Sequence, residues 1–478
     1  MLLERIYNDL LAQASYLLGC QESGTAIVVD PNRDVDRILA LAKRHAMRIG
    51  FVAETHIHAD FLSGARDLVR QTGATLLLSA EGDADWQYRY AASDGALLLR
   101  HGNEIDVGQL RLTARHTPGH TPEHLCFVVT DRAASERPVG MLSGDFIFVG
   151  DVGRPDLLEG TTQLAGTTDR LARRLFRSIE ATSDLPDYLQ LWPGHGPGSA
   201  CGKALGAMPQ TTLGYERLAN WAFQIHDECD FVRQVLTGLP EAPKHFAMMK
   251  SLNRDGPPPS RAGQDFPELD LPALERAIAT GASVVDVRPS EAFAAGHIPG
   301  AINLPAGSSL ATWAGSVLPY DRQIVLLADD RGNVARAKYA LALVGLDRVA
   351  GWGRDTLRSE WQRLRGPLGT VAQLDVATLS ASAALTVIDV RSAAEWTSGH
   401  LPGATHGFLG DLLAATRDVA LDTPIAVHCQ GGTRSAIAAS LLQANGFTNV
   451  VNLAGGFRAW TAAGLPVERD ADGPVTGG

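Results

Sequence analysis

A motif recurs in the second half of the chain at a fixed offset. Val284-Val285-Asp286-Val287-Arg288 is followed by Gly296-His297-Ile298-Pro299-Gly300-Ala301, and Val387-Ile388-Asp389-Val390-Arg391 by Gly399-His400-Leu401-Pro402-Gly403-Ala404. The aspartates stand 103 residues apart, as do the histidines, and Gly345 and Gly446, each closing a helical run, stand 101 apart. A period of about 100 residues is a small domain, since solenoid repeats run to roughly 20–50. The second half is therefore expected to be two copies of one α/β unit: short apolar strand, loop, helix.

Proline marks the other boundary. Residues 253–267 include Pro257-Pro258-Pro259, which continue neither a helix nor an inner strand, so the stretch predicts a semi-rigid linker. The expected order is a domain over 1–252, the linker 253–267, repeat units over 268–366 and 367–470, and a flexible tail at 471–478. About 150 residues per domain agrees with three domains in 478 residues. In the first domain, apolar strands at 24–29, 49–54 and 74–78 alternate with helical spacing at 34–46 and 61–72, again α/β. A net charge of −11 argues against nucleic acid or an anionic membrane surface as partner. Five scattered cysteines suit a reducing compartment. Glu4, Arg5 and Asp9 interrupt any signal-peptide core, and no apolar run of about 18 residues offers a membrane span. The expected location is cytoplasmic.

The chemistry-bearing residues of the first domain lie in four loops. Thr55-His56-Ile57-His58-Ala59-Asp60-Phe61 directly follows a strand, and alternating imidazole and carboxylate there converge on one point, as ligands of a divalent first-row metal do. His120 in Thr117-Pro118-Gly119-His120-Thr121, Asp145 after Ser143-Gly144, and His195 in Pro193-Gly194-His195-Gly196 are further candidates, each beside a glycine that lets the backbone turn sharply. A lone loop histidine is ordinarily a surface residue; four such loops behind apolar strands are not explained that way.

Together these motifs resemble the metallo-β-lactamase superfamily over about residues 1–250. The resemblance implies an αββα sandwich with a metal at one edge of two packed sheets. Two-metal members carry His directly after the Asp of the first motif, and this chain has Phe61. The resemblance then implies a mononuclear centre, and in the persulfide dioxygenase branch His56, His120 and Asp145 match the metal ligands. Two imidazoles and one carboxylate form the facial triad of non-haem Fe(II) oxygenases, which leaves positions open for substrate and O2. His58, Asp60 and His195 become residues that orient the ligands; His116 and His124 read as structural. Gly150–Asp156 also resembles this branch: Arg154 either binds a carboxylate of a thiol cofactor or pairs with Asp151 or Asp156. Cys201 is either a thiol that relays sulfur, activated by Lys203, or an inert buried residue. Cys20, Cys126 and Cys229 read as packing residues.

In the second repeat, the strand Ile425-Ala426-Val427-His428 runs into Cys429-Gln430-Gly431-Gly432-Thr433-Arg434-Ser435 and then a helix. Backbone N–H groups, the helix N-terminus and Arg434 favour a thiolate and an anionic substrate at Cys429. Asp-Val-Arg, Gly-His-Leu-Pro-Gly-Ala and this loop resemble the rhodanese family over about 370–470, which implies that Cys429 accepts sulfur as a persulfide beside the loop arginine, Arg434. Four residues between Cys and Arg suit sulfur transfer; the related phosphatases use five. The first repeat has Ala328 and Asn333 at these positions, with Asp329 and Asp330 between, so 268–366 reads as an inactive copy used for spacing, dimer contact or docking.

The resemblance thus implies a persulfide dioxygenase fused to two rhodanese modules: one Fe(II) per chain, a glutathione or coenzyme A persulfide and O2 as substrates, sulfite and thiosulfate as sulfur species, and a homo-oligomer. The alternatives are a glyoxalase II-like zinc thioester hydrolase with an appended sulfurtransferase, and a sulfur carrier with a structural metal domain.

Overall fold

The computed structural model describes residues 1–157, 167–261, 263–382 and 384–469. The expected tail at 471–478 lies outside them. One compact unit closes at Ser260 and a second opens at Arg261.

The first unit is built on strand alternation. Neighbouring strand residues point to opposite faces. Leu18, Ile27, Phe127, Leu142 and Trp192 share one buried cluster with residues of both six-stranded sheets. Their neighbours Leu17 and Val28 instead pack with Val35, Ile38, Ala65 and Leu68 of the helices Val35–Arg44 and Ala65–Thr72. Cys126, Met141 and Leu191 pack outward on Ala172, Leu175, Phe231 and Val235 of the helices Thr167–Glu180 and Glu228–Leu236. Sheet therefore faces sheet, with helices outside both: the αββα sandwich.

Two details differ from expectation. The helix predicted over 61–72 begins only at Ala65, because residues 61–63 are held as loop by bonds to Asn253. Asn253 itself belongs to a helix, Phe246–Asp255, where the linker was expected to begin. Beyond it, Arg66 Nη1 donates to the carbonyl of Pro257 (3.0 Å) and Arg33 Nη2 to that of Pro258 (2.7 Å), so this proline run is fastened to the first unit.

The second unit carries two sheets, parallel throughout. In the first, the order is Ile302–Asn303, Ser283–Asp286, Ile324–Ala328, Val349–Arg354. The other repeats it as Thr405–His406, Thr386–Asp389, Ile425–His428, Val450–Leu453, and adds Ala372–Leu374. The repeated motif is scaffolding in both copies. Arg288 and Arg391 fold back onto Asp286 and Asp389 (2.6 Å each) and donate to the carbonyls of Gly296 and Gly399. His297 and His400 stack on Phe293 and Trp396, with ring centroids 3.8 and 3.6 Å apart.

The helix Thr433–Ala444 is buried from Ser435 through Leu442. It lies against its own sheet and against the strand Ile302–Asn303 of the other copy. There the Ser440 hydroxyl accepts from the buried N–H of Asn303 (2.9 Å). Ser440→Val orphans that N–H. It is expected to lower stability by about 1–3 kcal/mol in urea unfolding of the full chain.

Candidate metal centre and cysteine loop

All four loops of the first unit leave strand ends at one edge of the sandwich. His56 follows Arg48–Ala53, His120 lies between Leu110–His116 and Leu125–Asp131, Asp145 follows Gly140–Gly144, and His195 follows Gln190–Pro193. Glycine is required where these loops touch. Gly144 has φ +50°, and a Cβ there would stand 2.7 Å from His124 Nε2 and 2.8 Å from Thr55 Oγ1. A Cβ on Gly194 would come within 2.8 Å of Asp145 Oδ1.

His56, His120 and Asp145, all buried, each bring one ligand atom to within 4.8 Å of the others. Hydrogen bonds fix both ring tautomers. Thr55 Oγ1 spends its proton on Asp30 Oδ2 (2.8 Å), so at 2.9 Å from His56 it accepts from Nδ1–H. His120 Nδ1–H donates to the carbonyl of Arg154 (2.9 Å). Both Nε2 lone pairs are thereby left facing Asp145 Oδ2, at 3.9 and 3.5 Å. That oxygen is buried without a hydrogen-bond partner. An orphaned carboxylate oxygen opposite two unprotonated nitrogens is the donor set of a metal ion, so the residues fit the group. Burial pushes the imidazoles of His56 and His120 below their usual pKa, which keeps them neutral and able to ligate.

The other oxygen of Asp145 is occupied. Oδ1 accepts from His195 Nδ1–H (2.7 Å), and His195 Nε2–H donates to Asp60 Oδ2 (2.8 Å). Burial disfavours the imidazolium, but Asp145 and Asp60 outweigh it and lift the His195 pKa to about 10. Burial likewise opposes the Asp145 carboxylate, and the charge and hydrogen bond of His195 outweigh it and hold its pKa well below the usual range.

His58 points elsewhere. Its Nε2 stands 3.1 Å from both Asp30 and Glu54, and these carboxylates overcome burial and raise its pKa well above the ordinary value. It is a buried cation beneath the loop, its ring 4.1 Å from that of His56 and 4.4 Å from that of Phe61. His124 Nε2 accepts from Asp145 N–H (3.1 Å) and so positions Asp145. His116 bonds the Pro122 carbonyl.

Contacts bear on two readings left open and on one packing residue. Arg154 is buried with its guanidinium forked onto Asp156 (2.7 and 2.6 Å), the pairing alternative, while its carbonyl accepts from His120. Lys203 does not activate Cys201: its Nζ binds the carbonyls of Gln234 and Thr237. Burial, with Asp60 and Asp145 adding to it, pushes the Cys201 thiol well above its usual pKa, and its Sγ is grouped with Asp60 and His195. Cys229, expected in a core, is exposed.

Sequence reasoning missed Asp30 and Asn253. Asp30 also accepts from Thr55 N–H (2.7 Å). Asn253 donates to the carbonyls of His58 (2.7 Å) and Phe61 (2.8 Å) and accepts from Ser63 N–H (2.9 Å), clasping the ligand loop. An aspartate directly before Pro31-Asn32-Arg33 carries no signal of its own, and Asn253 looked like linker.

In the second unit, Cys429 follows Ile425–His428 and is buried. Its Sγ accepts from Gly432 N–H (3.1 Å) and the Ser435 hydroxyl (3.5 Å). Gly432 has φ +109°, the left-handed turn that aims this N–H back at sulfur. Gln430 Oε1 accepts from Arg391 (3.4 Å), and Thr433 opens the helix. Arg434 departs from expectation. Both its terminal nitrogens bind Glu395, at 2.6 and 2.7 Å, so its charge is compensated within the protein. Glu395 loses stability on burial, but Arg434 and Ser392 more than offset this and pull its pKa to about 2. In the first repeat, Asn333 bonds Asp330 and Arg336, and Ala328 leaves that copy without the thiol, while Arg354 and Arg358 line the pocket beside it.

Comparison with known proteins agrees with this geometry. The model of the metallo-beta-lactamase superfamily matches residues 8–195, and that of the rhodanese-like domain matches 270–351 and 373–463. A solved metallo-beta-lactamase from Staphylococcus aureus subsp. aureus COL is 39% identical with a TM-score of 0.66, covering 74% of this chain and 99% of that one. Among curated proteins, the human mitochondrial persulfide dioxygenase ETHE1 is 27% identical over 199 residues, 41% of this chain and 68% of that protein. The hydroxyacylglutathione hydrolase of Nitrosococcus oceani is 33% identical over 203 residues, 41% of this chain and 66% of that protein. The chain belongs to the metallo-β-lactamase superfamily and carries two rhodanese-like domains behind that domain. It is a metal-binding enzyme. Among the described residues no helix is long and apolar enough to cross a membrane.

Two outcomes follow. Thr55→Val removes the acceptor that sets the His56 tautomer and is expected to weaken metal binding about 10–100-fold in chelator competition. The Glu395 carboxyl is depressed when folded, so its contribution to stability is present above about pH 4.3, the unfolded value, and is lost as pH falls through about 2. Glu395→Gln should therefore lower Tm most above pH 4.5, with the difference from the parent closing towards pH 2.

Proposed function

We propose that the chain is a persulfide dioxygenase–sulfurtransferase. The first domain binds one Fe(II) through His56, His120 and Asp145 and oxidises a low-molecular-weight thiol persulfide, of glutathione or coenzyme A. The reaction RSSH + O2 + H2O → RSH + SO3²⁻ + 2 H⁺ balances: the outer sulfur loses four electrons and O2 takes them up. The second rhodanese-like domain carries sulfane sulfur on Cys429 and so makes or uses thiosulfate. Joining the two sites in one chain raises the effective concentration of their shared sulfur species.

One observation carries this reading. Phe61 stands directly after Asp60, fully buried, where an imidazole would be needed to complete a second site of Asp60 and His195. Those two residues are instead hydrogen-bonded to each other. The similarity to persulfide dioxygenases supports the same reading. Fe(II) held by this two-imidazole, one-carboxylate set would supply redox chemistry with O2. The chain's own residues do the rest. Thr55 and the Arg154 carbonyl aim the imidazoles, His124 fixes the Asp145 backbone, and His195 holds a proton between Asp145 and Asp60.

The similarity to the hydroxyacylglutathione hydrolase, together with Cys201 beside Asp60 and His195, favours a second reading: a two-metal zinc hydrolase. Metal analysis of anaerobically purified protein, paired with O2 uptake on glutathione persulfide, separates them. One iron per chain and O2 consumption are expected; two zinc ions per chain without O2 uptake would overturn the proposal. Cys429→Ser is expected to keep O2 uptake and to abolish sulfur transfer.

A further inference from the structure

The Cys429 loop is an anion cradle whose obvious cation is already spent. Arg434 is forked onto Glu395. Arg391 is buried, folded onto Asp389 and bonded to the Gly399 carbonyl and Gln430. Neither guanidinium is left to meet a charged sulfur compound.

A third arginine is. The turn Gly455–Arg458 is stitched to the cysteine loop from the far side: Phe457 N–H donates to the Cys429 carbonyl (2.8 Å) and Arg458 N–H to that of Gln430 (3.0 Å). A Cβ on Gly456 would lie 2.2 Å from the Cys429 carbonyl oxygen, so only glycine allows this approach. The exposed Arg458 side chain then reaches over the loop. Its Nη2 stands 3.7 Å from where a Cβ of Gly431 would be. Among the described residues no carboxylate pairs with it. In the first repeat an extra residue in the strand Val349–Arg354 makes the offset 100, so Arg358 stands in its place, and there it is forked onto Asp355 (2.8 and 2.9 Å) rather than left unpaired.

We propose that Arg458 binds the sulfonate end of the sulfur donor or acceptor and sets the preference of Cys429 for thiosulfate and sulfite, while the Arg434–Glu395 pair only shapes the loop. This rests on Cys429 being the sulfur acceptor. In the donor direction, the Cys429 thiolate attacks the outer sulfur of thiosulfate. A new S–S bond forms, the bond to the sulfonate sulfur breaks, and sulfite leaves with its electron pair. The enzyme keeps the persulfide anion, so charge balances at −3 on each side. Arg458 meets the sulfonate oxygens throughout, as guanidinium does with oxyanions.

The test uses full-length protein with thiosulfate as donor and cyanide as acceptor, read as thiocyanate. Arg458→Gln is expected to raise the KM for thiosulfate and the inhibition constant of sulfite by about tenfold or more, as loss of a charged hydrogen bond does. Its kcat should stay within about twofold, the signature of uniform binding. Arg458→Lys should restore part of the loss. Unchanged KM and sulfite inhibition in Arg458→Gln, or an equal fall in kcat in both variants with a lowered Tm, would overturn the assignment. Full thiocyanate formation by Cys429→Ser would instead overturn the reading on which it rests.

Discussion

Asp145 has one carboxylate oxygen that is fully used and one that is not. His195 holds the first; two neutral imidazoles face the second in a buried pocket. An arrangement so unbalanced persists only because the surrounding chain enforces it. Leaving a charged oxygen buried and unpaired is costly, and a cation in that place would relieve it. The four loops, the glycines at their crossings and the hydrogen bonds behind each ring all bear on this one oxygen.

Much of the fold was legible because it rests on local rules. Alternation along strands such as Gln13–Cys20 and Gly140–Gly144 separates the two faces of each sheet. The Asp-Val-Arg motif is legible because Arg288 and Arg391 close onto an aspartate only two residues away. The partners that tune the sites were not legible, because they come from far along the chain. Thr55 is oriented by Asp30, 25 residues earlier; His120 by a carbonyl 34 residues later; the ligand loop by Asn253, 195 residues from His58. A carbonyl, moreover, carries no residue identity that a sequence could display.

Arg434 shows the same limit with greater consequence. Its spacing from Cys429 matches an anion-binding loop, yet Glu395, 39 residues earlier, takes both its terminal nitrogens. Spacing places a side chain near a loop; whether its charge remains available depends on what the rest of the fold supplies. Cys201 and Lys203 repeat the lesson: two residues apart in sequence, they turn to different neighbours, and the thiol is left in surroundings that oppose its ionisation.

The helix that begins beside Cys429 has no solvent face along most of its length, and part of its covering is the strand Ile302–Asn303 of the copy that has Ala328 in place of the cysteine. Duplication here has divided labour between siblings. One copy was free to shed its thiol, since what its twin needs from it is a wall rather than a reaction. Residues near Asn303 then answer to the shape of a neighbouring helix, while among the described residues the loop around Ala328 has no such neighbour to fit.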